Sequence, residues 1–286
     1  MTIVYAVNYH DEIMVVSDSR VSYGDESYEQ NFALQKLMYL PYEFKNRFVP
    51  IVLGFSGYVD CAYKIVQFLF TEKHLLEYKR SLVIAQFAGD ICKWLRDAIQ
   101  EQPIEQLLST TFLLSAQEYM RPSKVYDQQG NMSGYLPFFE GHIYTFSFTR
   151  QRDVICQRHS NFAAIGSGKE EAAFLDAMSQ HFINSGRGFP EADFMRSMMV
   201  YSDTGERFRN TQPQKIGGPY QIMRINPKFG LHISFFWSRA WMPLDTLQLT
   251  FDASDVVVTN VSSGESCTLL TLDTWHGKFG SAAFTA

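Results

Sequence analysis

The 286-residue chain is expected to fold as an α+β protein: a four-layer sandwich of two β-sheets between two helical layers, with a C-terminal β-rich extension. Three observations lead there. Short runs rich in Val, Ile and Met open the chain and strand-like runs close it. Between them, apolar residues recur at helical spacing in two separate regions. The resulting order is strands, two helices, strands, two helices, strands.

The elements follow in turn. Thr2 to Asn8 and Glu12 to Ser17 read as two strands, and the polar break at His10 and Asp11 joins them as a hairpin. Leu37 to Leu40 and Pro50 to Phe55 are further strands, and Gly57 then introduces the helical DCAYKIVQFLF. Residues 82–100 carry Val83, Ile84, Phe87, Ile91, Leu95 and Ile99 on one helical face. Residues 117–140, with Pro122, Gly130, Gly134 and Pro137, read as a long loop between strands near 110–116 and 142–148. Asn161 to Ile165 is a short strand entering Gly166-Ser167-Gly168, and helical patterns follow at 169–183 and 191–200. Strands resume at Tyr220 to Ile225 and His232 to Trp237, and LQLTF, VVVTNV and CTLLTL supply strands in the tail. We take residues 1–229 as the main domain and 230–286 as an extension packed on it.

Composition narrows the function classes. With 46% hydrophobic, 15% aromatic and 19% charged residues the chain has ample core material. A net charge of -5 and the lack of a Lys or Arg run give no footprint for nucleic acid. Four widely spaced cysteines, Cys61, Cys92, Cys156 and Cys267, form no CxxC pair and read as reduced thiols in a cytoplasmic protein. Seven histidines show no HExxH or HxH pattern, so no metal and no cofactor is expected. The N-terminus lacks the pattern of a secretory signal, and the apolar runs are shorter than the roughly 20 residues of a membrane helix.

The candidate chemistry begins at Thr2. A small second residue permits removal of Met1, which would leave a threonine with both a hydroxyl and a free α-amine of pKa about 7.7 to 8.0. That amine can accept the hydroxyl proton, so one residue supplies nucleophile and base. Taken alone, Thr2 reads as the first residue of a strand and no more.

The segment TIVYAVNYHDEIMVVSDSRVS resembles the opening of proteasome β-type subunits and of the related bacterial ring peptidase, in gap-free register from Thr2 to Asp18. LQKLMYLP then sets Lys36 at the family's lysine, after about two inserted residues, and IVLGFSGYVDCAYKIV resembles its strand, glycine and helix. FAAIGSGKEEAAFLD resembles its small-residue strand and G-S-G turn, and it lacks the spacing of a phosphate loop. The chain is therefore similar to proteasome-like N-terminal nucleophile (Ntn) hydrolases over roughly residues 2–225, apart from the expanded loop at 117–140.

The resemblance implies the Ntn-hydrolase sandwich and a threonine-type amide hydrolase, with a peptide or protein as substrate. In it Thr2 attacks, Asp18 and Lys36 tune it, the Gly57 N–H stabilises the oxyanion and Ser167 meets the amine. Ser22, Phe55 and Tyr58 are the substrate-pocket candidates. The family's last carboxylate has no counterpart before KIGGPYQIMRI, where Ile216 replaces the expected serine; Asp203 is the substitute candidate. The chain is also one residue shorter than the usual pattern just after Gly57. A homo-oligomeric ring is implied, with any ATPase partner unidentified. Two alternatives stand beside this reading: a non-catalytic ring subunit, and an Ntn amidase acting on a small amide.

Overall fold

The computed structural model describes residues 2–9, 12–19, 21, 32–44, 47–73, 75, 83–166, 219–226, 230–236, 247–252, 255–261 and 264–279. Strands dominate an α+β fold. The opening hairpin forms as expected: β1 (Ile3–Tyr9) and β2 (Glu12–Ser17) pair antiparallel, from Val4 opposite Ser17 to Tyr9 opposite Glu12. β9 (Phe162–Gly166) joins β1, and β10 (Tyr220–Asn226) joins β2 and is flanked by β11 (Gly230–Phe236). The order of this first sheet is β11-β10-β2-β1-β9, with the hairpin near its centre.

A second five-stranded sheet runs in chain order through β4 (Leu37–Phe44), β5 (Arg47–Ser56), β6 (Thr111–Tyr126), β7 (Met132–Phe148) and β8 (Val154–His159). The two sheets share an apolar interior in which Val4, Ala6, Ile13 and Val15 meet Val52, Leu113 and Ile143. Because strand side chains alternate between faces, Leu53 and Phe55 of β5 point the other way, toward the helices. There they meet Ile65 and Leu69 of α1 (Val59–Thr71) and Phe87, Ile91 and Leu95 of α2 (Ile84–Ala98). A short α3 (Ile104–Ser109) leads into β6.

The outer face of the first sheet is also buried, at Ile3, Tyr5, Val7, Met14 and Val16. The helices expected at 169–183 and 191–200 lie outside the described residues. Of the four layers expected, one helical layer and two sheets are thus described.

Residues 117–140 form no long loop. β6 and β7 continue as a two-stranded ribbon past Ala116, where pairing with β5 stops. Two residues of β6, Arg121 and Pro122, stand against Pro137 between the pairs Met120–Phe138 and Ser123–Leu136. Both prolines, which lack the N–H a ladder needs, are thereby set in one β-bulge. Asp127 closes the far turn by accepting the amides of Gln129 and Asn131 on Oδ1, each at 2.9 Å.

The tail strands β12 (Leu247–Asp252), β13 (Asp255–Asn260) and β14 (Ser266–Leu270) make a third sheet, completed by β3 (Phe32–Leu34) running parallel to β14. A last helix, α4 (Leu272–Phe279), adds buried Leu272 and Trp275 to the core shared by α1 and α2.

If tail and core unfold as one unit, Trp275→Ala should lower stability by about 3–5 kcal/mol, the usual cost of truncating a buried Trp. Urea denaturation followed by circular dichroism should then show one shifted transition. A separate early transition would mark the tail as independent.

Candidate active site

The expected site residues that are described converge at one end of the two sheets. Asp18 directly follows β2, and Lys36 directly precedes β4, so the pair spans from the first sheet to the second. Lys36 Nζ donates to Asp18 Oδ1 at 2.9 Å, and both residues are almost fully buried, at 2% and 0% exposure. The same Oδ1 accepts the backbone N–H of Ile3 at 2.9 Å, while Asp18 N donates to Ile3 O at 3.2 Å. Asp18 therefore prolongs the β1–β2 ladder and clamps the residue bonded to Thr2.

The approach to Lys36 is held on two sides. Leu34 N donates to Ser19 O at 2.8 Å, and Gln35 N donates to Leu270 O of β14 at 2.9 Å. Lys36 O accepts the N–H of Phe55 at 3.2 Å, which sets the lysine beside the strand leading to Gly57.

Gly57 directly follows β5 and stands exposed before α1. Its φ of +104° lies in the region that side chains resist, and a Cβ there would sit 2.1 Å from Ser109 O. The need for glycine is thus already met by the local backbone, before any substrate carbonyl is considered. Next to it, Ser56 Oγ and Thr111 Oγ1 lie 2.6 Å apart. Gly166, at φ +97°, is as constrained: a Cβ would come within 2.1 Å of Thr2 O and 3.3 Å of Ser56 Cβ. Thr2, Ser56 and Gly166 therefore meet at one point, one residue from Gly57.

Phe55 departs from expectation. It is 1% exposed and lies in the helix-facing core, 6.5 Å from Phe112 by ring centroids, so it lines no open pocket. Strand alternation is the cause: Ser56 faces the site, so Phe55 faces away. Tyr58 is 51% exposed and remains beside Gly57. Ser22, Ser167 and Asp203 lie outside the described residues, as do Met1 and the KIGG segment.

Two participants escaped the sequence reading. Ser56 and Thr111 are ordinary strand hydroxyls 55 residues apart, and only the β5–β6 register, with Ser56 opposite Thr111, brings them together. Among the described residues no group of three His, Cys, Asp or Glu could hold a metal ion. No described helix is long and apolar enough to cross a membrane.

No protein-family model and no curated protein matches the chain. Among solved structures it is similar to a mutant of Anbu from Hyphomicrobium sp. strain MC1, at TM-score 0.54 and 14% identity over 84% of this chain and 90% of that one. A second Anbu structure from the same strain gives TM-score 0.51 at 14% identity, covering 84% and 89%. Anbu (ancestral beta-subunit) from Yersinia bercovieri gives 0.49 at 15%, covering 80% and 82%. At these identities the first two likenesses show the fold, a proteasome-like one.

Removing one partner of a buried ion pair strands the other charge and typically costs about 3–5 kcal/mol. Lys36→Met should fall in that range by urea denaturation, and Asp18→Asn with Lys36→Met should cost less than the single change. Additive losses would show that the two groups are not coupled.

Proposed function

We propose that the chain is a threonine-type amide hydrolase acting on peptides, with Thr2 as nucleophile once Met1 is removed. One observation carries this reading. A single carboxylate oxygen, Asp18 Oδ1, holds both the Lys36 ammonium and the amide of Ile3, fixing a buried cation beside the start of the chain. A buried cation at that position favours a threonine alkoxide and the neutral form of a neighbouring amine.

In the proposed reaction the Thr2 amine takes the hydroxyl proton and Oγ attacks the substrate carbonyl. Charge on the carbonyl oxygen is met by the Gly57 N–H and by the positive end of α1, whose first turn begins two residues later. The tetrahedral adduct collapses, its C–N bond breaks, the substrate's amine leaves with the proton from the Thr2 amine, and water hydrolyses the Thr2 ester. Ser167 meets the amine, Asp203 stands in for the missing carboxylate, and Ser22 and Tyr58 shape the pocket. The same reading makes the protein a homo-oligomeric ring, as the resemblance to proteasome-like subunits implies, in the cytoplasm, where widely spaced cysteines stay reduced.

A second reading, a non-catalytic subunit, is favoured by Ile216 at the position of the family's serine. Intact-mass measurement separates the two at the outset, since a retained Met1 blocks the amine and rules out the mechanism. With Met1 gone, turnover of a fluorogenic peptide panel and labelling by an epoxyketone should both vanish in Thr2→Ala. Activity should also rise as pH passes the α-amine range of about 7.7–8.0, because the protonated amine cannot act as base. Equal labelling of Thr2→Ala would overturn the proposal. Cleavage of small amides but not peptides would move the substrate class and leave the chemistry intact.

A further inference from the structure

Two of the four cysteines lie on neighbouring elements that supply no residue of the site described above. Cys92 is on α2 and partly buried; Cys156 is exposed on β8, the edge strand of the second sheet. The Cys92 thiol points at the strand, with Sγ 4.0 Å from Val154 O. Val154 and Cys156 share one face of β8: they pair with Phe148 and Phe146, and Val154, Phe146 and Phe148 all belong to the helix-facing core. Cys156 is therefore the next residue on the face that Cys92 already touches.

The course of the two elements brings the thiols level. Arg152 Nη1 donates to Ile99 O, anchoring the C-terminal end of α2 near the start of β8. From Ile99 back to Cys92 the helix rises about 10 Å. From Arg152, two residues before β8, on to Cys156 the chain advances at most about 13 Å. Helical side chains lean toward the helix N-terminus, which here means toward Cys156 rather than back toward Val154. Consistent with a close pair, burial and then the neighbouring Cys92 push the Cys156 thiol above its usual range.

We propose that Cys92 and Cys156 form a dithiol site for small-molecule disulfides of the glutathione class, which oxidise it to an intramolecular disulfide joining α2 to β8. The exposed Cys156, through the minor fraction of it that is ionised at neutral pH, attacks one sulfur of glutathione disulfide, forming a mixed disulfide and releasing one glutathione thiolate. The Cys92 thiolate then attacks the Cys156 sulfur, the Cys92–Cys156 bond forms, and the second glutathione leaves. Two protein thiols are oxidised, one glutathione disulfide is reduced to two thiols, and the two protons lost by the cysteines go to the departing thiolates. The bond closes a long loop through α3 and the β6–β7 ribbon and fastens the edge strand to the helix above it.

The test treats the folded full-length protein with glutathione disulfide, blocks remaining thiols with iodoacetamide and maps peptides without reduction. The expected product is a linked pair of peptides carrying Cys92 and Cys156, while buried Cys61 and Cys267 remain unlinked. Cys92→Ser should instead accumulate glutathione on Cys156, because no second thiol resolves it, and the oxidised wild type should melt at a higher temperature than the reduced one. A stable glutathione adduct on Cys156 of the wild-type protein, or two cysteines that stay alkylatable, would overturn the proposal. A link that forms only after urea unfolding would do the same.

Discussion

Everything at the candidate site depends on one carboxylate oxygen. Asp18 Oδ1 receives a lysine from the start of the second sheet and a backbone amide from the first, so it joins the ends of two sheets whose shared interior is apolar. Apolar contacts are non-directional and tolerate sliding, whereas hydrogen bonds of 2.9 Å to one buried oxygen do not. Once they are made, the first residues of β1, the turn before β4 and, through Lys36 O, the end of β5 have one relative position.

The C-terminal tail takes part in that fixing. β14 runs beside β3, and Leu270 O holds Gln35, the residue before the lysine. Leu34, on the other side of Gln35, is tied to Ser19, the residue after the aspartate. The segment that delivers Lys36 is therefore gripped between the hairpin and the tail. Residues 230–236 extend the first sheet directly, so tail and core share strands and not merely a surface.

What was legible in the sequence follows from the range of the forces involved. α1 and α2 show themselves because burial imposes a period of 3.6 on neighbouring residues, and β13 because burial alternates along it; the opening hairpin, buried on both faces, shows itself as two continuous apolar runs. The ribbon was read as a loop because Pro122 and Pro137 are local breakers, while the bulge that accommodates both is a property of the pairing between strands. β8 was missed for a related reason: four consecutive residues of VICQRH are exposed, so no alternation marks it. At the site, Asp18 and Lys36 were identifiable only through family resemblance, since no local pattern links residues 18 positions apart. Phe55 was misplaced because adjacency to Gly57 in sequence was taken for adjacency in space, when alternation turns it to the opposite face.

The energetics of the ion pair bear on why it is there at all. Replacing a buried pair with apolar side chains of similar size is often neutral, or stabilising by about 1–4 kcal/mol, because desolvation offsets the Coulombic gain. Here the offset is larger than usual: among the described residues Asp18 Oδ2 is buried with no hydrogen-bond partner, as are the hydroxyls of Ser17 and Ser19. Unsatisfied buried polar groups cost about 1–3 kcal/mol each. A Leu and a Met in these two positions would avoid that desolvation, at the loss of the directional bonds. What they would not provide is a fixed positive charge within reach of the first residues of the chain, and that charge matters only if a group there must lose a proton.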